Sequence, residues 1–291
     1  MPGDPIDIMI AGNPEATAED AARLRALHGL DQPIITRYSN WLSTSLSGDF
    51  GYSRLFSKPV LDVMWPRLWS TLALMGGSIF LSVLLALPLG VHAARKPYSW
   101  SDKLINLGCF AGISIPAFWL ALLMITLFAV ILGWLPAGGL GDEEMTFFRS
   151  MSYYIMPILT LTLASVGGYT RHIRSSMIEA LKADHIRTAR AKGCSERHVI
   201  WKHALNNALI PVVTLIALDF GTLFGGALIT ETMFAIPGMG KLIYDSIMGN
   251  DYNLALISLL FVTLMILIGN FLADLTYVSL DPRIKLKEGS S

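Results

Sequence analysis

Residues Arg187 to Pro211 read RTARAKGCSERHVIWKHALNNALIP. The stretch carries Arg187, Arg190, Lys192, Arg197 and Lys202 against a single acid, Glu196. Long apolar runs lie on both sides of it. A basic segment between two membrane spans is cytoplasmic by the positive-inside rule. No breaker interrupts Ile186 to Lys192, so a short helix is expected there, with Gly193 as its stop. A second helical run is expected from Glu196 through Leu209, ending near Pro211. Two short helices around a glycine corner make a compact projection below the membrane. By charge alone, such a loop needs no role beyond fixing topology.

The flanks decide the fold class. The 291 residues are 53% hydrophobic and 15% charged, where a soluble domain carries about 25% charged residues. Five runs are close to or above the roughly 20 apolar residues that a helical span requires. They fall near 69–94, 104–132, 153–171, 207–230 and 253–274, within a transmembrane domain at 69–280. The third is short and holds Pro157 and Gly167-Gly168, so a break or tilt is expected. The expected architecture is an all-α integral membrane protein with five transmembrane helices and a cytoplasmic loop helix. Residues 1–68 are mostly polar and read as an extracytoplasmic segment. In it a helix is expected from Thr17 to Leu27, with Thr17 as cap before Asp20, and turns elsewhere around Gly29, Gly48-Asp49 and Gly51. Residues 281–291 form a short tail. The start, MPGDPIDIMIAGNP, has neither a basic beginning nor a long apolar run, so no signal peptide is expected.

Lysine and arginine set the orientation. Residues 95–103 carry Arg95, Lys96 and Lys103, residues 171–204 carry eight such side chains, and the tail carries Arg283, Lys285 and Lys287. The loop at 133–152 has only Arg149 beside Asp142, Glu143 and Glu144, and the loop at 231–252 has only Lys241. The N-terminus is therefore expected outside and the C-terminus in the cytoplasm.

Asp219 lies within an apolar run. A charge there is costly and faces a cavity or a partner. Either it lines a translocation path and meets a cationic group such as a peptide amine, or it is bonded to Thr214, Thr222 or a neighbouring subunit. Gly238-Met239-Gly240-Lys241-Leu242 suggests a phosphate loop, but the motif needs glycine where Ala235 stands and Ser or Thr where Leu242 stands. A turn is the plainer reading. Gly108/Gly112 and Gly221/Gly225 are small-residue pairs that allow close helix approach. His92, His172 and His203 have no second histidine at metal spacing, and Cys109 and Cys194 suggest neither a disulfide nor a zinc site. Neither HExxH nor GxSxG occurs, so no catalytic residue, metal or cofactor is expected. Net charge is zero, and nothing points to nucleic acid.

The order of residues in the basic loop adds more. Arg187, Thr188, Ala189, Arg190, Ala191, Lys192 and Gly193, then His203-Ala204, Asn207-Ala208 and Pro211, closely resemble the cytoplasmic loop of ABC importer permeases. The match is to the dipeptide/oligopeptide/nickel branch, and to the first of its two permease types. The general family signature begins Glu-Ala-Ala; Arg187, Thr188 and Ala189 stand there instead, as is usual in this branch. Further matches run nearly the length of the chain: PGDP at the start, LHGLDQPIITRYSNWL, SGDFGYS, Lys58-Pro59-Val60, Glu231 to Phe234, Pro237-Gly238 and Asp281-Pro282-Arg283.

The resemblance implies a six-helix type I importer permease fold. Met1 stands where that fold's first helix would end, so a missing first helix is expected, through a truncated chain or a start assigned downstream. It also implies that the loop at 187–193, with His203, Asn207 and Pro211, is the coupling element docking on an ATPase. The implied partners are a homologous second permease, two ATPase subunits, an extracytoplasmic substrate-binding protein and the lipid of a bacterial inner membrane. The implied cargo is a di- or oligopeptide, with nickel, glutathione or an opine as alternatives within the branch. A stand-alone channel or ion-driven transporter is the rival from another class. It would show paired broken halves and would not need the loop.

Overall fold

The computed structural model describes residue 6 and residues 17–27, 30–140, 147–223 and 227–280. The chain divides into two compact units, residues 1–51 and residues 52–291.

In the first unit, α1 spans Ala18–Leu27 and α2 spans Ile34–Leu46. Thr17 caps α1 reciprocally: its Oγ1 accepts from the Asp20 N–H at 3.2 Å while its own N–H donates to Asp20 Oδ2 at 3.0 Å. That satisfies two of the donors a helix start leaves orphaned. Helix α2 corrects the expectation of turns over 33–46. Its sequence, IITRYSNWLSTSL, is rich in β-branched and hydroxyl residues, which carry weak helix propensity. Ser39, Ser43, Thr44 and Ser47 bond back to carbonyls three or four residues earlier, so the hydroxyls are accommodated within the helix.

The second unit opens with an antiparallel pair, β1 (Tyr52–Ser53) and β2 (Lys58–Pro59), and is otherwise helical. Helix α3 spans Val60–Arg95, α4 spans Trp100–Ser114, and α5 spans Ala117–Met124 and continues as a π-helix over Ile125–Ile131. Helix α6 spans Phe147–Lys182 and α7 spans Asp184–Ala191. The single turn α8, Glu196–His198, runs through π-helical Val199–Ala204 into α9, Leu205–Leu223. Then come α10 (Leu228–Met233), α11 (Met239–Met248) and α12 (Tyr252–Leu280).

Among the described residues, four helical stretches are long and apolar enough to cross a bilayer: Val60–Arg95, Arg149–Lys182, Glu196–Asp219 and Tyr252–Leu275. The pair α4 and α5, bent by 96° between them, is long and apolar enough only when taken together, and counts as a fifth if it is one broken span. The bend has a local cause. Pro116 disfavours helical geometry in the residue before it, and Ile115 is extended at φ −81°, ψ 123°. The run at 104–132 is thus two helices.

The opposite correction applies to two other prolines. Pro157 lies inside a continuous α6, and Pro211 lies inside α9. The second loop run therefore does not end near Pro211. In lipid an interrupted backbone must find other partners, so continuing the helix past one missing N–H costs less than opening it. The run near 207–230 also divides, since Thr230 belongs to α10.

Helices α3 and α6 form the centre. At the loop end their residues Val91, Ala94, Ile173, Met177 and Ala180 share one buried cluster with Ile186, Ala189, Val199, Ala204 and Val212. At the other end Leu74, Ala121, Met156, Phe234 and Ile236 form a second. Helix α4 packs closely on α6. A Cβ at Gly112 would sit 2.6 Å from the Leu163 carbonyl oxygen, and one at Gly167 would sit 2.7 Å from that of Cys109. A Cβ at Gly108 would meet nothing within 4 Å, so the close approach of these helices is at Gly112 and at Gly167, not at Gly108. Gly225 lies outside the described residues.

Candidate functional site

The basic loop is packed against the ends of the span helices. Helix α6 runs to Lys182, and α7 follows after Ala183 and packs on the end of the helix bundle. One face of α7 is apolar: Ile186 is 0% and Ala189 is 8% exposed. Both sit in the cluster that contains α3 and α6 residues. Arg187, Thr188, Arg190, Ala191, Lys192 and Gly193 are exposed. The helix is thus glued to the spans by one stripe and presents cations on the other.

Gly193 closes it in the left-handed region, at φ +79°. The Gly193 N–H donates to the Arg190 carbonyl at 2.9 Å, and the Cys194 N–H donates to the Ala189 carbonyl at 3.2 Å. These are the two bonds of a Schellman cap. Cys194 packs against the same apolar cluster as Ala189, supplying the hydrophobic contact that accompanies such caps. Beyond the corner, Ser195 Oγ accepts from the His198 N–H at 3.4 Å. Arg190 reaches across the corner to Glu196, with Nε to Oε1 at 2.7 Å and Nη2 to Oε2 at 3.3 Å. That bidentate bond holds the Arg190 guanidinium above its usual range.

The other loop residues are brought together only in part. Asn207 lies beside α7, its Nδ2 3.2 Å from His185 Nε2, and it also donates to the His203 carbonyl at 2.9 Å. His203 meets His198 edge to face at 5.2 Å between centroids. Pro211 is exposed one turn further along α9 and is not part of this surface.

Asp219 is separate. It lies about 20 Å up α9 from Leu205 at 1.5 Å rise per residue. The hydroxyl of buried Tyr169 on α6 donates to Asp219 Oδ2. Asp219 and Tyr169 line a cavity of about 270 Å³ with Ile113, Ala164, Ser165, Gly168, His172 and Leu215. Thr214, one of the partners considered from sequence, gives its hydroxyl to the Ile210 carbonyl.

Two arrangements were not visible in the sequence. Glu231 is fully buried. Its Oε1 accepts from Thr71 Oγ1 at 2.9 Å and from the Ala227 N–H at 3.2 Å, and its Oε2 accepts from the Lys241 N–H at 2.8 Å. Thr71 Oγ1 in turn accepts from the Met239 N–H at 2.8 Å. The glycine-rich segment at 238–242 is thus the start of α11, and the anion at that helix N-terminus is the chain's own carboxylate. A Cβ at Gly238 would lie 2.2 Å from Glu231 Cδ. The only signal was a glutamate ahead of Gly-x-Gly. The second arrangement is the ion pair Asp102–Arg174, bidentate at 2.6 and 2.7 Å, which ties the start of α4 to α6. Asp102 also accepts from the Tyr98 N–H at 2.7 Å and from Asn106 Nδ2 at 2.7 Å. Among the described residues, no group of three His, Cys, Asp or Glu side chains is placed to hold a metal.

Residues 86–286 match the family described as binding-protein-dependent transport system inner membrane component. The chain is 38% identical to the oligopeptide transport system permease protein AppB of Bacillus subtilis (strain 168), over 98% of this chain and 90% of that one. It is 39% identical to the glutathione transport system permease protein GsiC of Escherichia coli (strain K12), over 99% and 90%. Among solved structures it is similar to an inward-facing MetNI methionine ABC transporter, with TM-score 0.61, 21% identity, and coverage of 76% of this chain and 97% of that one. At that identity the likeness speaks for the fold: an all-α type I importer permease.

Proposed function

The chain belongs to the family of binding-protein-dependent transport system inner membrane components, and from that premise we propose that it moves short peptides through the bilayer under the control of ATPase subunits docked at Arg187–Gly193. It is a multi-pass ABC importer permease of the peptide and glutathione branch, and not an enzyme. Membership implies ATPase and binding-protein partners. The proposed assembly is this chain, a homologous second permease, two ATPases and one extracytoplasmic binding protein. The similar curated proteins are named for oligopeptides and for glutathione, and both cargoes are peptides of a few residues.

The observation that carries the proposal is the construction of α7. Its apolar stripe lies in the same cluster as Met177 and Ala180 of α6 and Val91 and Ala94 of α3. Close-packed interiors transmit displacement rather than absorb it. A push on the exposed cations of α7 therefore reaches both central helices. The ATPase does work on the spans only if it binds this surface differently in its two nucleotide states. With Arg187, Arg190 and Lys192 exposed, an acidic groove is the complementary partner surface. His203 and Asn207 border it beside His185.

The proposed orientation puts this loop and the C-terminus in the cytoplasm and the N-terminal segment outside. A membrane-impermeant thiol reagent tests it. Cys194 is half-buried at the corner, Lys192 is exposed, and Cys109 is 6% exposed. Cys194, or Lys192→Cys as the more exposed site, is expected to react in inside-out vesicles and not in intact cells. Reaction from outside overturns the orientation and the docking role with it. Co-purification of an ATPase that is lost with Arg187→Glu/Arg190→Glu tests the contact itself; an ATPase retained at parental level by that variant places the contact elsewhere.

A further inference from the structure

Resting on that importer reading, we propose that the cavity at Asp219 is a subsite for one residue of the transported peptide, keyed to its ammonium group by Asp219 and limited in size by Gly168. Three helices contribute: Ile113 from α4, Ala164, Gly168, Tyr169 and His172 from α6, and Leu215 and Asp219 from α9. Tyr169 lies about 20 Å from the loop end of α6 at Lys182, as Asp219 lies from Leu205, at 1.5 Å per residue. Both are therefore within the bilayer, where an ionisable side chain faces the bundle interior and marks a path for polar cargo.

The chemistry of the lining selects the ligand. Tyr169 donates to Asp219, which orients the carboxylate. A carboxylate has about four acceptor sites, so a cationic donor can still be received. Among the described residues no lysine or arginine lines the cavity, and its titratable side chains besides Asp219 are Tyr169, already bonded to it, and His172, which is exposed. Ile113, Ala164 and Leu215 are apolar, and a low local dielectric strengthens attraction between opposite charges. The matching group is a primary ammonium, either the peptide's α-amino group or a lysine side chain.

Size is the second determinant. At about 270 Å³ the cavity falls below the roughly 300–1,000 Å³ of sites that enclose a drug-sized ligand. It has room for one residue. Gly168 keeps that room open: a Cβ there would meet nothing within 4 Å. A methyl at 168 is accommodated, and because Gly168 lines the cavity a larger side chain there takes up part of its volume.

The test is uptake by the complete importer with its binding protein in proteoliposomes, using Ala-Ala-Ala, N-acetyl-Ala-Ala-Ala, N-acetyl-Lys-Ala-Ala and Phe-Ala-Ala. Ratios are compared between parent and variant with the same binding protein, so any preference the binding protein adds cancels. Asp219→Asn is expected to cut the free-to-acetylated ratio by roughly tenfold or more, the size of one charge-assisted hydrogen bond, and Asp219→Glu to keep it. If N-acetyl-Lys-Ala-Ala behaves as the free tripeptide, either ammonium serves; if it behaves as the acetylated one, only the α-amino group does. Gly168→Leu is expected to slow Phe-Ala-Ala roughly fivefold more than Ala-Ala-Ala, and Gly168→Ala to give the same ranking at smaller amplitude should the leucine variant fail to insert. An unchanged ratio in Asp219→Asn, or equal slowing of all peptides by either substitution, overturns the subsite while leaving the importer reading standing. A parent importer that moves none of the four peptides overturns the peptide reading, and the subsite falls with it.

Discussion

Gly193→Val is expected to lower substrate uptake and binding-protein-stimulated ATP hydrolysis together, by more than tenfold, in a protein that still inserts. The cause is conformational. Gly193 sits at φ +79°, and a Cβ there would touch nothing within 4 Å, so space is not the constraint. A non-glycine residue in the left-handed region costs about 1–3 kcal/mol, and a β-branched one is a genuine outlier. At about 2 kcal/mol the Schellman corner loses a factor of about 30 in population. The carbonyls of Ala189 and Arg190 then lose the Cys194 and Gly193 donors, and the exposed face of α7 is no longer presented in one shape. Because the strain is in φ alone, the residues at this position rank by left-handed tolerance. Gly193→Asn is expected near parental activity, Gly193→Ala intermediate and Gly193→Val lowest. Ser195→Ala removes a long cap bond of 3.4 Å and is expected to cost less than about 1 kcal/mol. If Gly193→Val abolishes uptake but leaves stimulated hydrolysis at parental level, α7 is not the coupling element. If valine and asparagine behave alike, the left-handed corner is not what matters.

Glu231→Ala is expected to be the most destabilising single change on the opposite side of the molecule. The carboxylate is buried and joins α3, through Thr71, to the segment before α10 and to the start of α11. Its removal strands the Ala227 and Lys241 N–H groups and the Thr71 hydroxyl. Each unsatisfied buried donor costs about 1–3 kcal/mol. Thermal unfolding in detergent is expected to fall by roughly 10 °C, at 2–4 °C per kcal/mol for a chain of this size. Gly238→Ala is expected to be comparably harmful for a different reason: its methyl would lie 2.2 Å from Glu231 Cδ.

The two changes remove each other's problem in part, since the double variant has neither carboxylate nor clash. The double-mutant cycle is therefore expected to be non-additive by at least about 1 kcal/mol in the compensating direction. Additive losses would mean that Gly238 is required for something other than the seat of Glu231. Gly240 serves as the comparison. Its Cβ would meet the Leu228 backbone nitrogen at 2.9 Å, a clash that a shorter side chain at 231 does not relieve, so Gly240→Ala with Glu231→Ala is expected to be closer to additive.

The sequence by itself determined whatever depends on neighbours along the chain. Apolar runs mark spans because each helix satisfies its own backbone in lipid. The corner at Gly193 was legible for the same reason: a Schellman cap is closed by residues a few positions apart, and RTARAKG contains all but one of them. The Thr17 cap followed from the same kind of local pattern. Prolines were less legible. Pro116 breaks its run and Pro211 does not, although each removes one donor. The difference lies in the surroundings: Val212 beside Pro211 is wholly buried against α7 and the central helices, whereas Phe118 and Trp119 just beyond Pro116 are about half exposed.

Tertiary structure alone decided the rest. Asp219 stood out as a charge in an apolar run, but its partner is Tyr169, fifty residues away on another helix. The Gly-x-Gly segment read as a turn became the seat of a glutamate held from α3 by Thr71, 160 residues away. Asp102 and Arg174 gave no sign of their pairing across 72 residues. Such sites are selected by distance in space after the helices have packed. Burial then makes an unpaired charge or donor too costly to leave unmet, and no periodicity or spacing along the chain encodes which distant group meets it.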